Sequence, residues 1–148
     1  MNGYQTRERL KDVFRDLRKD GFIARINYMC CNTCAQYSLF SKIEKKWKET
    51  GKIPKGVIYW HQQEDKAFKE ENGGVYISYI PSDTYEMEQQ GVKPPLTTKE
   101  VGKELCKVLK RHGLHYLWNG DPSIKIEVIW GSEDYINERI TKFVENME

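Results

Sequence analysis

Residues 22–34 read Phe22-Ile23-Ala24-Arg25-Ile26-Asn27-Tyr28-Met29-Cys30-Cys31-Asn32-Thr33-Cys34. Phe22, Ala24, Ile26 and Tyr28 share one face and Arg25 and Asn27 the other, which is the period of a strand over Phe22–Met29. A helical pattern takes over after the cysteines. Phe40, Ile43 and Trp47 recur at helical spacing up to about Glu49, and Gly51 stands in the stop position. A strand that passes through a polar elbow straight into a helix is how a crossover in an α/β sheet begins.

The flanking segments extend this pattern. Upstream, Leu10, Val13, Phe14 and Leu17 form one face of a helix over Thr6–Lys19, ended by Asp20-Gly21. Downstream, Val57–Trp60 is a short apolar strand bounded by Pro54 and Gly56. Asn72-Gly73-Gly74 marks a turn before a strand over Val75–Ile80, and Pro81–Pro95 reads as a long loop. Thr97 and Glu100 have capping-box spacing at the head of a helix that ends at Gly113. Leu114–Trp118 and Ile124–Trp130 flank the turn formers Asn119-Gly120-Asp121-Pro122-Ser123 and read as an antiparallel pair. A last helix starts near Ser132. The order is α-β-α-β-β-α-β-β-α. It predicts a mixed α/β (α+β) fold, about five strands in a mixed sheet covered by helices, in a single domain over 1–148.

Composition sets the outer bounds. The chain has 148 residues, a size suited to one core. Twenty-four basic and 22 acidic residues leave a formal charge of +2, too balanced for an electrostatic binder of nucleic acid. Trp47, set among Lys42, Lys45, Lys46, Lys48, Lys52 and Lys55, fits the buried stripe of its helix. Those lysines therefore read as a solvated back. An aromatic fraction of 12% supplies bulk for a core and argues against disorder. The apolar runs are too short to span a bilayer, and Met1 to Arg7 lacks an apolar leader, so no membrane segment and a cytoplasmic location are expected.

Three of the four cysteines, Cys30, Cys31 and Cys34, fall within five residues. In a cytoplasmic chain such clustering points to metal or thiol chemistry before a structural disulfide. Three readings stand. In the first, Cys31-Asn32-Thr33-Cys34 is a redox C-x-x-C at a helix N-terminus, where free N–H groups and the helix dipole lower a thiol pKa. The element order after the first helix resembles a thioredoxin-like order with one added strand. That order implies a proline before the strand facing the cysteines, where this chain has Gly113-Leu114-His115. In the second, Cys30, Cys31, Cys34 and His61 form a Cys3His set for zinc. In the third, each cysteine is a small packing residue.

Strand ends supply the remaining candidates. His61 is the expected base toward a thiol, with Cys31 as nucleophile and Cys34 as the resolving group. Arg25, Gln62, Gln63, Trp118 and Asn119 are the expected contacts to a small polar ligand, with Gln62 or Asn119 as hydrogen-bond donors. Glu64 and Asp65 read as solvated acids. His112, near a helix C-terminus, reads as a satisfied or capping histidine.

Gly21-Phe22-Ile23-Ala24-Arg25, the cysteine run, Tyr59-Trp60-His61-Gln62-Gln63-Glu64-Asp65, Gly73 to Tyr79 and Trp118-Asn119-Gly120 together resemble a bacterial family known as a domain of unknown function. The resemblance spans about Leu17 to Trp130. It implies one fold and one site region, without a reaction. Two functions are therefore expected. One is a Cys/His/Gln site for a metal or small ligand, with thiol-dependent chemistry in its catalytic form. The other is a protein-binding module of the inhibitor or immunity type, contacting its partner through Pro81–Pro95, where Tyr85 and Met87 have no evident core position.

Overall fold

The computed structural model describes residues 1–147. Helix α1 (Gly3–Lys19) starts three residues earlier than its apolar stripe predicts, because Asn2 and Gln5 close a capping box ahead of it. Its Leu10, Val13, Phe14 and Leu17 are fully buried. Strand β1 (Ile23–Arg25) is much shorter than the alternation suggests. Asn27 and Met29 adopt left-handed backbone (φ 47° and 62°), which ends the extended run. Ala24 keeps the predicted inward face, but Tyr28 is turned to the other side of the sheet, against helix α2 (Asn32–Thr50).

Strands β2 (Val57–Tyr59), β3 (Gly73–Ile80), β4 (His115–Leu117) and β5 (Ile126–Trp130) complete a five-stranded mixed sheet in the order β1-β2-β3-β5-β4. β1 and β2 are parallel, and every other neighbouring pair is antiparallel. The mixed α/β architecture and the antiparallel last pair agree with the sequence pattern. β4 lies at the opposite edge from β1 and runs against it. It therefore does not face the cysteines, as a thioredoxin-like order would require.

Three further helices are α3 (Gln62–Asp65), α4 (Tyr85–Gln89) and α5 (Thr98–Arg111), and α6 (Glu133–Met147) ends the described chain. α1 and α5 cover one face of the sheet, where Trp60, Phe68 and Trp130 join a continuous aromatic run: Phe14 to Trp60 4.9 Å, Trp60 to Phe68 5.4 Å, and Phe68 to Trp130 5.1 Å between ring centroids. On the other face α2 packs over β2 through Leu39 and Ile43, and α6 packs over β4 and β5 through Ile136. No helix is long and apolar enough to cross a membrane among the described residues.

The Pro81–Pro95 segment differs from the predicted loop. Thr84 caps α4 by accepting the Met87 N–H at 3.4 Å, and Met87 is fully buried beneath α2. Of Tyr85 and Met87, Tyr85 keeps the predicted exposure. Met87→Ala is expected to cost about 2–5 kcal/mol, since it deletes a buried side chain with little room for collapse. Tyr85→Ala should stay within about 0.5 kcal/mol. Urea unfolding midpoints of the two variants test this: equal shifts would contradict the packing described.

Candidate functional site

The site begins with the elbow that ends β1. After the left-handed Asn27, the Tyr28 N–H donates to the Trp60 carbonyl at 2.8 Å. After Tyr28, the Met29 carbonyl accepts the Gln62 N–H at 2.9 Å. The cysteine-bearing elbow is thus tied along the C-terminal end of β2. Cys31 then adopts extended backbone and becomes the N-cap of α2, with its carbonyl accepting the first helical N–H, from Ala35, at 3.0 Å.

Two tyrosines fix this first turn. The Tyr59 hydroxyl, buried under α2, donates to Asn32 Oδ1 at 3.1 Å and accepts from Gln36 Nε2 at 3.4 Å. The Tyr28 hydroxyl pairs with Ser38 Oγ, and Lys42 Nζ stands 5.0 Å from the Tyr28 ring centroid. These holding residues were not singled out from the sequence. The available signal was an i, i+4 pair of amides, Asn32 and Gln36, opposite an aromatic strand residue.

The elbow and the first turn of α2 therefore bring three sulfurs together. Cys30 Sγ lies 3.4 Å from Cys34 Sγ and 3.9 Å from Cys31 Sγ, and all three fall within 4.8 Å of one another. The cluster faces outward: Cys30 and Cys34 are exposed and Cys31 is half-buried. The sulfur of Cys31 closes no regular side-chain cap. Even so, the Cys34 N–H, then the neighbouring thiols, hold the Cys31 thiol below its usual range. Cys34 moves the other way, to about 11, because its proton is shared with the Cys30 and Cys31 sulfurs and their negative charge opposes its own. Cys106 is distant in role as well as sequence. It lies on the buried face of α5, and burial pushes its thiol up to about 12.

The other sequence candidates separate. His61 is buried and caps α3, its Nδ1 accepting the Glu64 N–H at 3.4 Å. Its backbone borders the elbow, but its imidazole is not in the sulfur group. Burial first, and the Lys125 charge second, hold it below its ordinary pKa. Gln62 and Gln63 are exposed on α3. Arg25 is half-buried at the end of β1 and donates to the Ala24 carbonyl at 3.2 Å. Trp118 and Asn119 follow β4, so they lie at the far edge of the sheet and at the opposite end from the cysteines. There Asn119 Oδ1 accepts the Asp121 N–H, and Trp118 Nε1 donates to the Asp121 carbonyl, closing the turn.

The acids that read as solvated are structural. Glu64 Oε1 accepts the Tyr76 N–H at 2.8 Å, where β3 runs on beyond the end of β2. Asp65 Oδ1 accepts from Trp60 Nε1 at 2.9 Å and from Arg7 Nε at 3.0 Å. His112 is satisfied, as its position suggested, with Nε2 2.7 Å from Asp16 Oδ2.

The chain belongs to the family described as Domain of unknown function (DUF6891), whose model matches residues 4–132. The match takes in the sheet, the cysteine elbow and α3, and stops before α6. Searches of the curated proteins and of the solved structures returned no match.

The His61 environment makes a testable statement about pH. The fold disfavours the protonated imidazole, while the unfolded chain takes up its proton near the ordinary value of 6.5. Its contribution to stability is therefore full above that value and is lost as pH falls from about 6.5 toward the lowered folded value. His61→Asn keeps a capping side chain and should flatten this part of the curve. Urea midpoints compared between pH 7.5 and 5.5 test it, and an identical slope in parent and variant would contradict the account.

Proposed function

We propose that this member of the family holds a soft metal ion, of the zinc class, on Cys30, Cys31 and Cys34. The observation that carries the reading is the spacing of the sulfurs. Two zinc-bound thiolates at about 2.3 Å from the ion are separated by about 3.8 Å along the edge of a tetrahedron. The Cys30 pairs, at 3.4 and 3.9 Å, bracket that value. Thiolates select zinc and cuprous copper over hard ions such as magnesium or calcium. The helix N-terminus favours the negative charge that three thiolates bring.

Three ligands on an exposed turn leave one tetrahedral position facing outward. Closed structural sites take four protein ligands, whereas sites that bind or polarise a ligand keep one position open. A bound ion would supply Lewis acidity at that position. The chain's own part is to fix the sulfurs. Tyr59 orients the first turn through Asn32 and Gln36, and Tyr28 holds the helix through Ser38.

A second reading rests on the opposed behaviour of the two C-x-x-C thiols, Cys31 lowered and Cys34 raised to about 11. In it, the Cys31 thiolate attacks a substrate disulfide and releases one substrate thiolate. Deprotonated Cys34 then displaces the second, leaving a Cys31–Cys34 disulfide and a reduced dithiol substrate.

The two readings part at Cys30. Cys30→Ser removes a metal ligand but leaves the C-x-x-C intact. The metal reading predicts one zinc ion per chain and a loss of affinity on the order of 100-fold or more in Cys30→Ser, read by competition with a chromophoric chelator. It predicts little change in His61→Asn. Unchanged affinity in Cys30→Ser, or no zinc bound by the reduced parent, would overturn it. Retained disulfide-reducing activity in that variant would favour the second reading instead.

A further inference from the structure

We propose that the groove between α2 and α4 is a docking surface for an arginine-bearing segment of a partner protein. This goes beyond the metal reading and does not depend on it.

The groove has a volume of about 460 Å3 and is lined by Tyr37, Phe40 and Glu44 of α2 and by Asp83, Thr84 and Tyr85 at the start of α4. Tyr37 and Tyr85 are the two most exposed large hydrophobic side chains among the described residues, at 79% and 73%. They flank an open space that no basic residue lines. Isolated exposed aromatics are ordinary, but two across one groove form a surface suited to a flat, weakly hydrated group.

The charge in the groove has one sign. Neither Glu44 nor Asp83 has an ion-pair partner among the described residues, whereas nearby Glu86 is paired with Lys48. Only two buried side-chain polar atoms lack a hydrogen-bond partner among the described residues, Ser82 Oγ and Asp83 Oδ1. Both belong to the segment that enters α4, and Ser82 is fully buried. Both atoms are closed to solvent and Ser82 lies outside the groove lining, so charge complementarity in the groove rests on Glu44 and on the part of Asp83 that lines it.

A guanidinium matches the aromatic rings and the acidic side chains of this lining. It is planar and stacks on tyrosine faces, and its five N–H donors fork toward carboxylate oxygens. An ammonium carries the same charge but is more strongly hydrated and forms no such fork. Arginine is accordingly favoured over lysine. Cys34, Tyr37, Ser41 and Glu44 follow helical spacing along one side of α2, so a segment seated here would run toward the sulfur cluster.

The test uses the full chain, isotope-labelled, titrated with a nona-arginine peptide and, separately, with nona-lysine. Amide shifts should concentrate at Tyr37, Phe40, Glu44, Asp83 and Tyr85. Binding should weaken at least ~10-fold in a Glu44→Gln, Asp83→Asn double variant, equal to about 1.4 kcal/mol. Tyr85→Ala, an exposed change that leaves folding intact, should weaken it as well, and nona-lysine should bind less tightly than nona-arginine. A triple cysteine-to-serine variant should bind like the parent, which separates this surface from the metal site. Shifts that map instead to other acids, such as Glu133 and Asp134 of α6, would overturn the proposal. So would parent-like titration of both the double variant and Tyr85→Ala.

Discussion

The candidate site depends on a backbone constraint: the chain must leave β1 through two residues in left-handed conformation. Asn27 accepts that geometry readily, but Met29 does so against its Cβ, at a cost on the order of 1 kcal/mol or more. The strain persists because hydrogen bonds on either side hold it, Tyr28 to Trp60 and Gln62 to Met29. With the elbow pinned to the end of β2, Cys31 has one place to go, the N-cap of α2. Cys30 then lies just outside the helix and Cys34 one turn along, so backbone geometry alone gathers the sulfurs.

The same constraint explains what the site excludes. Parallel pairing of β1 with β2 brings the cysteine elbow beside His61. The imidazole is nevertheless committed to α3, where its Nδ1 serves as a helix cap. The run from His61 to Asp65 acts as a clamp: Glu64 binds the free edge of β3, and Asp65 ties the buried Trp60 to Arg7 of α1. Residues that could have served chemistry are used to close the end of a short strand. The sulfurs are left with thiol neighbours and solvent, a setting suited to an ion or an external ligand more than to a general base on the chain.

Much of the architecture was legible because it rests on local rules. The Thr97 and Glu100 capping box forms as its spacing requires, and Gly51 ends α2 with φ 72°. The apolar stripes of α1 and α5 are buried as their periodicity implies. What was not legible depends on distant partners. Nothing in Asn27-Tyr28-Met29 announces left-handed backbone at a methionine, so β1 reads four residues too far at its C-terminal end. Met87 sits alone in a polar segment, and only its place beneath Leu39 and Ile43 reveals it as core. Trp118 and Asn119 follow a strand as His61 does. The direction of the last strand pair relative to β1 and β2, set by where β5 joins β3 and invisible in a single sequence, sends them to the other end of the sheet.

The central claim is the proposal that three sulfurs gathered at the N-terminal end of α2 act as a single metal-binding unit. X-ray absorption at the zinc edge of the loaded, reduced protein tests it most directly. The account predicts three sulfur scatterers at about 2.3 Å and one lighter oxygen or nitrogen scatterer. A shell with fewer than three sulfurs, or one made of nitrogen and oxygen alone, would contradict it.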